Sequence, residues 1–218
     1  MKKIVIMAAI AAFGFANVNA QEGTTFGFGE GDIFIEGNVS VRSSKDKNTL
    51  NVETKTNSFT ISPKAGYFLT DQFAVGAELG FGKYKEETGN TINEDVSTVG
   101  GGLFARYYFL ELGKRFKTYS EFGIGYGTAK DKGNAGSTLT KNTFGAGLDL
   151  GINYFVTEKI ALTFGLTDIL SVSTTKNELT VSGTPGKTSS TNTDVNFGVG
   201  SVNNPFGGNA TFGILFKL

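Results

Sequence analysis

The 218-residue chain has no cysteine, no histidine and only three prolines. Without cysteine no disulfide framework can hold it together. Without histidine the His-based nucleophile triads and His-ligated metal centres are excluded. An excess of one charge is missing too, since Lys+Arg is 20 and Asp+Glu is 20. A balance of this kind carries no nucleic-acid footprint. No stretch holds about 18 consecutive apolar residues, so no transmembrane helix is expected.

What is present begins with an export signal. Lys2 and Lys3 precede an apolar run from Ile4 to Ala16, and Val18 and Ala20 stand at the −3 and −1 positions of a cleavage site. Residues 1–20 are expected to be a signal peptide cut after Ala20, leaving 21–218 as one barrel domain. Without Lys2 and Lys3 the charge balance is 18 to 20, a mature charge near −2. Glycine is abundant at 31 and phenylalanine at 20. A disordered glycine-rich chain would not carry, and order, that much phenylalanine.

From Asp32 onward the chain has period two. In "QFAVGAELGFG", Phe73, Val75, Ala77, Leu79 and Phe81 alternate with Ala74, Gly76, Glu78, Gly80 and Gly82. Eight such segments are predicted as strands, near 32–44, 57–69, 72–85, 95–110, 117–130, 142–156, 159–175 and 208–218. Their length suits tilted strands that cross a bilayer. Connections alternate as well. "LTDQ", "ELGKRF" and "TEKI" are tight, whereas Lys45–Thr56, Glu86–Glu94, Asp131–Lys141 and about 176–207 are long and polar. Short turns at one end and long loops at the other describe an outer-membrane barrel.

The tight turns repeat a motif. "GYFLTDQFAVG" parallels "NYFVTEKIALT", and "RYYFLELGKRF" is a looser copy. Tyr67, Phe68, Phe73, Tyr107, Tyr108, Phe109, Phe116, Tyr119, Tyr154 and Phe155 therefore gather at one end of the strands. Such a ring reads as a periplasmic aromatic girdle, with Tyr67, Phe73, Tyr107, Phe109, Tyr154 and Phe216 as its members.

One parity of each strand carries Phe, Leu, Ile, Val and Tyr. The other carries small residues and charges. An eight-stranded interior has room only for side chains, so the bulk must face out, into lipid. Seven charges lie on the inward parity: Glu36, Lys64, Glu78, Arg106, Glu121, Asp149 and Lys217. Buried charges must pair, so these residues are expected to form a lumenal salt-bridge network with Arg106 as its hub. The inward glycines 80, 82, 100, 102, 123, 125, 127, 145 and 147 are expected to make room for inward aromatics such as Phe34, Phe104 and Tyr108 or to allow strong coiling of a narrow barrel, with a cavity for one small ligand as the weaker alternative. Gly186-Lys187-Thr188 lacks the first glycine and the strand–helix context of a phosphate loop. No catalytic, cofactor or metal site is expected.

At "FARYYFL", at "YF-x-T-[DE]" and at the closing "NPFGGNATFGILFKL", the chain resembles the small outer-membrane β-barrel family typified by OmpX and the OmpA transmembrane domain, in its Bacteroidetes form. The resemblance implies an all-β, eight-stranded antiparallel up-and-down transmembrane β-barrel in the outer membrane of a Gram-negative bacterium, with both termini in the periplasm. Its implied roles are adhesion, envelope integrity or limited permeability. The partners expected are outer-membrane lipid, the barrel-assembly machinery and a host or cell-surface ligand at the loops. A narrow porin-like channel and a soluble exported lipid-binding barrel are the alternatives. The segment Thr193–Val202 is strand-like but surplus to eight, and is expected to pair with the seventh strand as a hairpin protruding beyond the membrane.

Overall fold

Alternation of apolar and small residues becomes strand along almost the whole chain in the computed structural model, which describes residues 26–47, 52–89, 91–132, 136–183, 186–197 and 210–218. The signal peptide and its cleavage point at Ala20 lie outside these residues. Among the described residues nine strands follow one another: β1 (Ile33–Lys47), β2 (Glu53–Phe68), β3 (Phe73–Thr88), β4 (Thr91–Leu112), β5 (Phe116–Lys132), β6 (Ser137–Phe155), β7 (Ile160–Val181), β8 (Thr188–Phe197) and β9 (Ala210–Lys217). Each of β1 to β7 pairs antiparallel with the next, β7 pairs with β9, and β9 pairs with β1. The sheet thus closes into an eight-stranded barrel, the arrangement that leaves the fewest backbone groups without partners.

The strands run further toward the loops than the alternation suggested. Glu86–Glu94, expected as a loop, is mostly ladder: Glu87 pairs with Ile92 and Thr88 with Thr91. Positive φ at Gly89 closes this hairpin. At the opposite end the repeated turn motif has a local cause. The Thr70 hydroxyl accepts hydrogen bonds from the backbone N–H of Gln72 and Phe73, and Thr157 does the same for Lys159 and Ile160. Each threonine stands in for a backbone acceptor and tightens the reversal. Gly113, at φ +68°, makes the third turn.

Outward side chains form an apolar band around the barrel. It runs from Ile33 to Val41 on β1 and from Phe73 to Phe81 on β3, and stops at Ser43 and Lys83. Tyr67, Tyr107, Phe109 and Phe216 are exposed on its turn-end rim, beside the half-buried Phe73 and Tyr154. Four aromatics of the turn-end cluster point the other way, among them Tyr108, which was expected inside. Phe68, Tyr108, Tyr119 and Phe155 are buried inside, because a neighbouring pair such as Tyr67-Phe68 must send one ring to each face.

The eighth position in the wall is shared. β9 pairs with the turn-end part of β7, from Ile160 to Leu166. β8 pairs with its loop-end part, from Leu170 to Leu179. Between them the β6–β7 ladder steps from Leu150↔Leu166 to Leu148↔Leu170, a bulge on β7. The surplus segment does pair with the seventh strand. However, its ladder starts at Leu170↔Phe197, and the outward Leu170, Val172, Val195 and Phe197 lie level with the apolar band. β8 therefore belongs partly to the wall, where a hairpin wholly beyond the membrane was expected; residues 198–202 lie outside those described. Among the described residues β1 meets β9 over five pairs, Phe34↔Lys217 to Asn38↔Gly213.

Candidate functional site

The turn-end half of the barrel interior is filled by two layers. Lowest is an aromatic layer of Phe34, Phe68, Tyr108 and Phe155. The segment before β1 folds back beneath it. Phe28 stacks on Phe68 with centroids 4.2 Å apart and meets Phe155 edge-on at 5.2 Å. Phe26 lies under the Arg115 guanidinium, 4.3 Å from its ring centre. Arg115 also donates to the carbonyls of Phe155 and Val156, tying two turns together.

Above the rings lies a charged layer, and the register explains it. Glu36 stands opposite Lys64, and Lys64 opposite Glu78. Arg106 stands opposite Glu121, and Glu121 opposite Asp149. Opposite signs thus occupy adjacent strands in all but the last pair, as cross-strand pairing favours. Arg106 has no exposed side-chain surface. Its Nη1 donates to Glu36 Oε2 at 2.8 Å and its Nε to Glu121 Oε2 at 2.6 Å. Its guanidinium faces the Tyr119 ring at 4.0 Å. Lys64 bridges Glu121 and Glu78, the latter at 3.1 Å. A polar chain leads onward: Arg106 Nη1 to the Tyr108 hydroxyl at 3.4 Å, that hydroxyl to Asn153 Oδ1 at 2.7 Å, and Asn153 Nδ2 to Thr163 at 2.8 Å. A void of about 200 Å³ remains beside this layer, bounded by Asn38, Lys64, Glu78 and Thr211.

Of the seven expected network residues, Glu36, Lys64, Glu78, Arg106 and Glu121 meet in one cluster. Asp149 is beside Glu121 in register. Lys217 is not in the network. It stands opposite Phe34, nearer the turn end, where it pairs with Asp32 at 3.5 Å and donates to the Gly27 carbonyl at 3.0 Å. The parity was right and the height was not, so the layer carries more acid than base. Missed altogether were the buried Lys117, whose ammonium lies 2.5 Å from Glu111, and Asn153 and Thr163. All three sit on the inward parity, which was the available signal. Phe26 and Phe28 lie outside any alternating run and gave none.

The inward aromatics do lie over glycines, but not those expected. Phe34 occupies the space of a Cβ at Gly66, Phe104 that at Gly76 and Tyr119 that at Gly151. Glycines 80, 100, 123, 125, 127, 145 and 147 instead line a cavity of about 630 Å³ above the charged layer, on the loop side.

The profile of the family described as outer membrane protein beta-barrel domain matches residues 7–200. Among solved structures the chain is similar to the outer membrane protein OprG from Pseudomonas aeruginosa, at 16% identity and a TM-score of 0.52, covering 88% of this chain and 98% of that one. It is also similar to the E. coli outer membrane protein W, at 18% identity and a TM-score of 0.44, covering 87% and 99%. Among curated proteins none matches closely enough to count as a relative.

Proposed function

Because the chain belongs to the outer membrane protein beta-barrel domain family and lies in the outer membrane of a Gram-negative bacterium, we propose that it is a closed scaffold. In this reading the barrel anchors in lipid by its apolar band, holds its turn end in the periplasm, and displays hairpin tips to the exterior. It catalyses no reaction; its work is adhesion or envelope structure, done by the tips. The observation that carries the closed reading is the filling of the periplasmic half. The fully buried Arg106 is clamped between Glu36 and Glu121 and rests on a layer of aromatic rings. Moving an ion through it requires breaking buried ion pairs, which is costly.

The void of about 200 Å³ beside the charged layer favours a second reading, a narrow channel that opens when the ion pairs exchange partners. Conductance across a planar bilayer separates the two. The scaffold reading expects the parent protein to give no resolved steps and Arg106→Ala to leak. Regular unitary conductance from the parent would overturn it.

A further inference from the structure

The cavity above the charged layer is not explained by scaffolding. An eight-stranded interior is just wide enough to be filled by side chains, and here the described residues leave part of it open. A Cβ at Gly80 would meet nothing within 4 Å, and one at Gly123 nothing nearer than the Leu103 carbonyl at 3.9 Å. At Gly127 and Gly145 the nearest atoms are 3.6 and 3.4 Å away, ordinary contact. At Gly100 and Gly125 a Cβ would come within 3.1 and 3.3 Å of a neighbouring carbonyl, so glycine there relieves crowding, and deeper in the barrel rings occupy the Cβ positions of Gly66, Gly76 and Gly151. Glycine weakens a strand, so at Gly80 and Gly123 the chain gives up stability where packing does not ask for it. What it keeps is open volume.

The charges lining that volume have one sign. Among the described residues Glu78, Glu121, Asp149 and Asp194 line it, and no lysine or arginine does. Arg42 and Lys141 share the inward parity but stand nearer the loop end. Beneath, Lys64 and Arg106 face Glu36 as well as Glu78 and Glu121. The lining and its floor together hold five acids to two bases. Low-dielectric walls focus such a field. The four lining acids come from β3, β5, β6 and β8, around the wall. Among the described residues no group of three acids is placed to hold a metal ion. Serine, threonine and asparagine at 62, 143, 173 and 196 supply further acceptors.

We propose that this cavity is a binding pocket, open to the exterior, for a small organic cation carrying two or more ammonium groups. The separated carboxylates suit separated charges along one extended molecule better than one compact ion. The pocket rests on the closed-floor reading only in being blind, and the two fail by different measurements. Spermidine is the probe, titrated calorimetrically into the refolded protein in detergent micelles, with magnesium chloride and a neutral polyol of similar length alongside. Saturable binding of spermidine is expected, with none of the polyol and at least tenfold weaker binding of magnesium. Glu78→Gln should weaken spermidine binding about tenfold, the loss of one charge-assisted contact. Gly80→Leu/Gly123→Leu, which places side chains in open space, should abolish binding and keep the heat-modifiable gel mobility of a folded barrel. Absence of saturable binding, or binding unchanged in the filled variant, overturns the pocket. Magnesium binding as tight as spermidine overturns the assigned ligand class. Conductance of the parent in the same preparation overturns the closed floor alone.

Discussion

Replacing Arg106 with methionine removes a guanidinium with no exposed side-chain surface and leaves Glu36 and Glu121 only 3% and 4% exposed. The two carboxylates are not left in the same state. Glu121 keeps the Lys64 ammonium, whereas Arg106 is the one cation that contacts Glu36 among the described residues. Removing one member of a buried ion pair costs about 3–5 kcal/mol, because the survivor is an uncompensated buried charge. Most of that falls on Glu36. Arg106→Met/Glu36→Gln should therefore recover more than half of the loss, roughly 2 kcal/mol. Lys64→Met should cost less, about 1–3 kcal/mol, since Glu121 retains Arg106 and the Glu78 side chain is 37% exposed. Urea unfolding of the refolded protein, followed by far-ultraviolet circular dichroism and by the heat-modifiable gel shift, measures all three. An Arg106→Met variant within about 1 kcal/mol of the parent would refute the reasoning, as would a double variant no more stable than the single one.

Three further outcomes follow from the same geometry. Gly66→Val pushes a side chain into the Phe34 ring and should cost about 1–3 kcal/mol or more, whereas Gly37→Ala, outward with open space around its Cβ, should be neutral or raise stability by up to about 1 kcal/mol in the same urea assay. Leu103→Arg, in the middle of the apolar band, should cost about 2–4 kcal/mol in lipid vesicles, against about 0–1 kcal/mol for Ser97→Arg beyond the band on the same strand. Near the loop ends, hydrogen bonds and charge from Lys85 hold the Glu87 carboxyl below its ordinary range, and Lys176 with Lys187 does so for Glu178. A depressed carboxyl supports the fold above its unfolded pKa and gives up that support as pH falls through the folded one. Amide protection at residues 84–88 and 176–180 should thus drop on acidification below the ordinary carboxylate range, while global unfolding hardly moves, since both ion pairs lie at the loop ends on side chains that water reaches.

Much of this was legible because a strand's side chains have a strict period of two. Parity alone put Arg106, Glu121 and Lys64 inside and Tyr67, Tyr107 and Phe216 outside. Parity says nothing about height. Lys217 was therefore grouped with residues of a higher layer, and the Phe34↔Lys217 register, two residues below Glu36↔Leu215, separates it from them. Phe68 and Phe155 could have been placed inward by parity, but the aromatic clustering at the turns was the louder signal. The division of the eighth wall position depends on the bulge in β7 opposite Leu148–Leu150, where three residues face one and no local pattern marks the step. Phe26 and Phe28 are held by ring contacts with Phe155 and Phe68, contacts with no periodic trace.

The five-rung ladder between β1 and β9 makes the ring mechanically uneven. Among the described residues β1 holds β2 by fifteen pairs and β9 by five, and the five join segments nearly the whole chain apart, so their closure carries the largest loop entropy. Close by, Lys217 reaches Asp32 and the Gly27 carbonyl, and the backbone N–H of Leu218 donates to the Ile33 carbonyl. These contacts act as a clasp on a short hem. A barrel drawn from the bilayer by force should tear along that hem, peeling away first either β1 or β9, while the broad ladders from β2 to β7 leave as one cloth.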